Sequence, residues 1–438
     1  MPIKDHAGLP LTGASYKAAD LYGQALTLYH SMRGDPLGLL AEAVADSPGF
    51  VMAHVLTADL LLVGTNPEAQ AMGVAAFRSA ATLPADTRET GHVQALACMV
   101  EGDFSAAGRI LEDVTIEHPR DSHALQAGQL MDFCLGDSRM LRDRIARALP
   151  AWSDDMPNYS GVLGMLAFGL EEAGFYARAE AAGRRAIELE PGNTWAQHAV
   201  AHVMEMEDRR RDGLAWMMRE STGWQTDSYF SVHNWWHTAL FHLGLGETAE
   251  VLRLFDGPIY GAASDMSFDM LDAAALLWRL HLLGVEVGGE RWRRVADNYE
   301  KTSAAFGQSA FCDAHAVLAF LGAGHPDAAR GVIEAQKAAM AGSGDNPSMI
   351  RDVGLPLTEG YKAFAEGDYV TAIDRLRRVR NRAARFGGSH AQRDLIDLTL
   401  IAAAQRGGQD GLGRALLTER ANARPLARGD EARLDRAA

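Results

Sequence analysis

The stretch "LGMLAFGLEEAGFYARAEAAGRRAIELEP" (163–191) decides the fold. Ala167 sits inside one apolar-periodic run, Gly174 interrupts it, Ala179 sits inside a second run, and Pro191 closes that one. The same mutual spacings recur in "HVQALACMVEGDFSAAGRILEDVTIEHP" (92–119) at Ala95, Gly102, Ala107 and Pro119. They recur again at Gly360, Gly367 and Ala372, and at Gly324 and Ala329 with Val317 in the first small position. Two short amphipathic helices lie close together only where small residues meet. Glycine supplies the left-handed terminus between them and proline stops the second helix. One such pair cannot bury its apolar face alone, so the pairs must stack. The spacing predicts an all-α chain, a stacked solenoid of about ten antiparallel helix pairs at roughly 40 residues each.

The pairs resemble tetratricopeptide repeats, a resemblance that implies a superhelical solenoid of that type. The clearest repeats are expected at 88–121, 160–218, 310–340 and 353–386, within one solenoid spanning 1–418. Segments 17–87, 122–158 and 262–305 keep helical periodicity with a poorer repeat fit. "AMAGSGDNPS" (339–348) and "DGPIYGAASD" (256–265) read as loops. Residues 419–438 read as a charged C-terminal tail, nearly without large apolar residues.

Composition narrows the function classes. The chain has 438 residues, a formal charge of −15 and 47% hydrophobic residues, which supports a large core and argues against a phosphate-backbone partner. No nucleic-acid partner and no membrane are therefore expected: the longest apolar run, around "LDAAALLWRLHLLGV", is broken by Arg279 and His281. Three scattered cysteines, Cys98, Cys134 and Cys312, suit a reducing compartment, and no signal peptide is visible, so a cytoplasmic location is expected. Neither a Gly-rich phosphate loop nor a nucleophile elbow is present.

Longer words go beyond generic repeats. "HAVAHVMEM" (198–206), "HNWWHTAL" (233–240), "CDAH" (312–315), "VGLPL" (353–357) and "GGSHAQRD" (387–394) together resemble the tetratricopeptide repeat protein 38 family, in that family's order. The resemblance implies an all-helical curved solenoid and implies no particular reaction.

Five of the fifteen histidines fall between His198 and His242, among tryptophans. In tetratricopeptide repeats the first helix of each pair lines the concave side. Counted from Ala201, its stripe is Trp195, His198, His202 and Glu205; counted from Ala239, it is His233, Trp236, Leu240 and Leu243, with His237 off centre. From Ala95 it is Glu89, His92, Leu96 and Met99, and from Ala167 it includes Gly161 and Gly164, small enough to leave room for a ligand. Neighbouring helices pack about 8–10 Å apart, so these side chains are expected to converge.

Two functions fit that convergence. The first is a groove binding a peptide or small polar ligand through Trp195, His198, His202, Glu205, His233, Trp236, His237 and Arg393. Arg393 suits a carboxylate, and Asp394 beside it faces the same way. "GGSHAQRD" also has a structural reading, with Ser389 and Gln392 forming a capping box. The second function is an enzyme on the same scaffold: His198, His202 and His233 hold a divalent metal or shuttle protons, and Glu205 is base or ligand. No cofactor is certain on this reading. Ala199 stands where a zinc-protease His-Glu-x-x-His word needs its glutamate, which argues against that class. Asp313 and His315 are two residues apart and cannot form a dyad on one helix face.

Overall fold

The computed structural model describes residues 3–219 and 221–424. The chain divides into two compact units, one of residues 1–200 and 220–231, the other of residues 201–219 and 232–438. Among the described residues the only strand-type pairing is an isolated bridge between Lys4 and Pro10, and the rest is built from helices.

The first unit contains the pairs α1 (Tyr16–Ser31) and α2 (Pro36–Asp46), α3 (Val51–Leu62) and α4 (Pro67–Ala81), α5 (Thr87–Val100) and α6 (Phe104–Glu117), α7 (Ser122–Cys134) and α8 (Ser138–Ala148), and α9 (Tyr159–Glu172) and α10 (Tyr176–Leu189). It ends inside α11 (Thr194–Met206). The second unit takes the end of α11 with α12 (Arg210–Arg219), followed by α13 (Ser231–Leu245) and α14 (Thr248–Leu254), and α15 (Ser267–Leu282) and α16 (Gly289–Lys301). The pairs α17 (Ala310–Gly322) and α18 (Pro326–Ala339), α19 (Leu355–Ala365) and α20 (Tyr369–Val379), and α21 (His390–Arg406) and α22 (Asp410–Ala423) complete it. Eleven pairs thus stand among the described residues where about ten were expected.

The repeat register is visible atom by atom. Gly102 and Gly174 hold positive φ between their helices, at 73° and 80°, where an L side chain would be strained. The small residues of the second helices, Ala107, Ala179, Ala329 and Ala372, are fully buried. The first helix α9 is buried from Ser160 to Glu172 without a break, whereas its partner α10 buries one stripe. Each fully buried leucine or phenylalanine contributes about 1.5–3 kcal/mol. The first unit's core runs from Leu11 to Met131, and the second's from Trp236 to Leu417.

Several expectations are corrected. The poorly fitting segments 17–87, 122–158 and 262–305 also fold as helix pairs, because packing in an inner helix such as α15 tolerates apolar residues on every face. The expected loop at 256–265 begins as a wide helical turn, Phe255–Ile259, kinked at Gly257. The stretch at 339–348 does leave a break between Ala339 and Asn346. Helix α22 continues to Ala423, five residues into the segment read as tail; residues 425–438 lie outside the described residues. No helix among the described residues is long and apolar enough to cross a membrane.

Candidate functional site

In the second unit three histidines come together. His202 is carried by α11, and His233 and His237 by α13. The His202 and His237 rings stand 4.4 Å apart centroid to centroid, and His233 and His237 4.8 Å apart. Each offers a ring nitrogen within 4.8 Å of the others'. His237, off centre in the stripe, is the middle member of the trio. Trp236 stacks on His233 at 5.2 Å and meets His237 edge-on at 5.0 Å. Asp272 of α15 lies 2.7 Å from His233 Nδ1. A carboxylate on one ring nitrogen fixes the ring and sets the other, Nε2, as the ligating atom.

All four groups are enclosed, with His202, His237 and Asp272 at 0% exposure and His233 at 2%. Burial pushes all three imidazoles well down, His233 to about 3, and pushes Asp272 well above the usual carboxylate range. The stripe rule therefore finds the right helix face but misplaces its solvent: these rings are packed inside and do not line an open surface.

Beside the trio lies an ion-rich cavity of about 490 Å³, lined among others by Met206, His390, Arg393, Asp394, Arg420 and Arg424. His390 and Arg393 are near enough for their charges to lower the pKa of His202 further. A second cavity of about 60 Å³ adjoins it and shares Asp394, Arg420 and Arg424, with Glu205, Arg210 and Arg279 in its wall. Arg420 grips Asp394 with two bonds, one of them 2.9 Å long. Burial raises Asp394, but Arg420 and Arg424 outweigh it and hold the group well below its ordinary range. Glu205 goes the other way, raised by burial against the pull of Arg424 and Arg210.

Two buried arginines there are held incompletely or at long range. Arg279 Nη2 donates to the Ala391 carbonyl at 2.6 Å, and its cation lies over Trp236 at 5.5 Å, yet Nη1 is buried without a hydrogen-bond partner. Arg424, also buried, has its guanidinium, among the described residues, at 3.5 Å from Glu205, 3.5 Å from Asp394 and 3.7 Å from Met206 sulfur. Unmatched buried guanidinium N–H groups are costly, and an anionic ligand would satisfy them.

The remaining candidates pack against other side chains or line the cavity. His198 falls in the first unit, stacked on Trp195 at 5.1 Å and Phe168 at 5.8 Å, and meets Phe230 at 4.7 Å. Gly161 and Gly164 do not leave ligand space. A Cβ on Gly161 would lie 2.7 Å from His30 Cβ, and one on Gly164 3.3 Å from Trp195, so these glycines allow close helix approach. Arg393 does line the cavity, its guanidinium donating to the Gly388 carbonyl. The capping box is present: Gln392 N lies 3.3 Å from Ser389 Oγ, and Ser389 N donates to Gln392 Oε1 at 2.9 Å. Asp313 accepts from Gly307 N, and His315 Nδ1 contacts the Phe311 carbonyl, so the two make separate packing bonds. Sequence reading missed Asp272, Arg279, Arg420 and Arg424. Arg420 and Arg424 were hidden inside the supposed tail, and no spacing rule pointed to the other two.

No protein-family profile matches the chain. Among solved structures it is similar to the APC/C hetero-tetramer Cut9–Hcn1, with a TM-score of 0.46, 13% identity, and coverage of 96% of this chain and 76% of that one. It is also similar to yeast Tom70 (0.42, 9%, 90% and 89%) and to the human IFIT1 dimer with PPP-AAAA (0.44, 12%, 96% and 94%).

Proposed function

We propose that this protein is a tetratricopeptide-like scaffold that binds a small carboxylate-bearing polar molecule, or the free carboxyl end of a peptide, in the second unit's cavity. The observation that carries the reading is the buried Arg279, whose Nη1 has no hydrogen-bond partner, beside the buried Arg424, whose ion pairs are long at 3.5 Å, in the walls of adjoining cavities. A volume of about 490 Å³ suits a small-molecule site. Glu205, His202, His233, His237, Trp236 and Arg393 then shape and orient the ligand from the trio's side. We assign the chain on the same footing to a family like tetratricopeptide repeat protein 38, on the words that resemble it.

The test is a thermal-shift series with citrate, glutarate, and one peptide in free-acid and C-terminally amidated forms. The wild type should be stabilised by a carboxylate probe and not by the amide, and Arg424→Gln should abolish the shift. Equal shifts for acid and amide, or none with any probe, would overturn the reading.

A second reading is favoured by the geometry of His233. Three imidazoles with one backed by Asp272 form an acceptable first shell for a divalent metal, which would support hydrolase-type chemistry beside the cavity. Metal analysis of tag-free protein against His237→Ala, with ester hydrolysis as a second readout, tests it. Unchanged metal content in the variant would remove the trio from consideration.

A further inference from the structure

The first unit carries a second histidine centre, independent of the cavity described above. Asp59 stands on α3, His92 on α5 and His123 on α7, spaced 33 and 31 residues apart, close to one repeat each. They are the ninth, sixth and second residues of three successive inner helices, each about one turn nearer its helix start than the last. Each offers a ligand atom within 4.8 Å of the others', and all three are at least 96% buried.

The hydrogen bonds around them define which atoms are available. His92 Nε2 lies 2.9 Å from Asp121 Oδ2, and Arg88 donates to the same oxygen at 2.7 Å. Asp121 Oδ1 accepts from Ala124 N and caps α7, so the carboxylate is fixed at both ends. Donating Nε2–H to that carboxylate leaves His92 Nδ1 as a lone pair, and this atom is buried with no hydrogen-bond partner. An orphaned acceptor with no solvent in reach is a place for a Lewis acid. His123 places Nε2 2.5 Å from Asp59 Oδ2, while its Nδ1 is 3.2 Å from the Tyr22 hydroxyl. That hydroxyl both donates and accepts, so it can take the Nδ1 proton's bond when Nε2 turns to a metal. Each imidazole thus has a partner on its far nitrogen, as metal-bound histidines do.

Charge points the same way. Two buried carboxyl groups, Glu89 and Asp121, flank one guanidinium, Arg88, and a third, Asp59, pairs with His123. A divalent cation would correct that excess.

We propose that Asp59, His92 and His123 form a divalent-metal site of the two-histidine, one-carboxylate type, which staples the second, third and fourth helix pairs of the first unit together. Ligands on zinc at about 2.0–2.1 Å stand about 3.3 Å apart in a tetrahedron, so Asp59 and His123 need separate by less than about 1 Å. Zinc or ferrous iron suits this donor set best.

The experiment uses the full chain without a polyhistidine tag, stripped with chelator and titrated with Zn(II) by calorimetry, with Co(II) absorption as a spectroscopic check. His237→Ala, which leaves the first unit intact, should still take up one equivalent of Zn(II) and melt several degrees higher with it. Adding His92→Gln or Asp59→Asn to that variant should weaken binding at least tenfold, with circular dichroism confirming the metal-free fold. If either added substitution prevents folding, zinc-edge absorption of the His237→Ala protein decides, with two imidazoles and a carboxylate expected. Absence of Zn(II) binding in His237→Ala, undiminished binding in both added variants, or a shell without a carboxylate overturns the proposal.

Discussion

The two units build buried histidine centres from the same helix face and then treat the charge differently. Around His92 and His123 the first unit supplies Asp59, Asp121 and Arg88 in direct hydrogen bonds. Around His202, His233 and His237 the second unit supplies ring contacts, one carboxyl from Asp272, and arginines placed in the neighbouring cavity walls. Asp121 is raised by burial but held well below its ordinary pKa by His92 and Arg88; at Asp272 burial outweighs the pull of Arg279 and pushes the group well up. One carboxyl is a fixed anion that ties elements together. The other tends to keep its proton. A repeat scaffold can therefore turn a buried carboxyl to cross-linking or to site chemistry, depending on whether a cation bonds it directly, as Arg88 bonds Asp121.

The largest expected effect breaks the fixed anion. Asp121→Asn keeps a capping side chain at the start of α7 but removes the direct charge partner of the buried Arg88, leaving it the more distant Glu89 at 3.9 Å. The expected cost is about 3–5 kcal/mol in denaturant unfolding. A variant as stable as the wild type would show that Asp121 is not held as an anion, and the contrast between the units would collapse.

The next effect is on pH dependence. Burial lowers His30 to about 4 in the first unit, so between 6.5 and 4 the unfolded chain binds the proton that the native one refuses. Its contribution is complete above 6.5 and is lost as pH falls toward 4, on the order of 3 kcal/mol. His30→Gln should flatten that acid limb. In the second unit burial raises Asp313 to about 7. There the native state binds the extra proton, so the contribution is complete below about 3.8 and is lost as pH rises through 7. Asp313→Asn should flatten the alkaline side instead. Thermal unfolding from pH 4 to 8 checks both signs, and two variants that changed the same limb would refute the assignment.

Where the units should behave alike is in repeat packing. Ala179 and Ala372 are both fully buried on second helices, five residues after their turn glycines. Leucine at either should overpack its pair and cost about 1–3 kcal/mol. Wild-type melting in one and not the other would show that the shared register does not mean shared packing.

That register was legible because it is local: small residue, glycine, small residue and proline follow from helix contact and helix termination within one pair. The histidine words were legible as a face of α11 and α13 for the same reason. Their enclosure was not, since it depends on side chains from α15, α21 and α22 that are distant in sequence. Arg424 sits in a stretch whose composition reads as solvated tail. Asp59, His92 and His123 were each unremarkable alone, and only His92 appeared in a stripe. Spacings a few residues short of one repeat were the signal, and it becomes visible once segments 17–87 and 122–158 are placed in register as helix pairs.

The smallest effect is the sharpest test of the difference between the two carboxyls. Asp272 is 0% exposed and lies 2.7 Å from His233, so geometry alone suggests an ion pair as important as that of Asp121. Burial argues otherwise, because Asp272 has its pKa raised well above the ordinary range and His233 is lowered to about 3, which leaves both groups uncharged. A protonated carboxyl and an amide have nearly the same shape, and either can hydrogen-bond to an imidazole. Asp272→Asn in metal-stripped protein should then cost within about 1 kcal/mol, the worth of one ordinary hydrogen bond. The sign with pH is also fixed: the native carboxyl keeps its proton, so the stability it gives is present below about 3.8 and lost as pH rises through its folded pKa. The variant, having no such proton to lose, should gain on the wild type between pH 5 and 8. Denaturant unfolding of Asp272→Asn and Asp121→Asn at those two pH values separates the cases. If Asp272→Asn costs as much as Asp121→Asn at both, Asp272 is an anion paired with a charged His233, and the trio is an ionic cross-link like the first unit's.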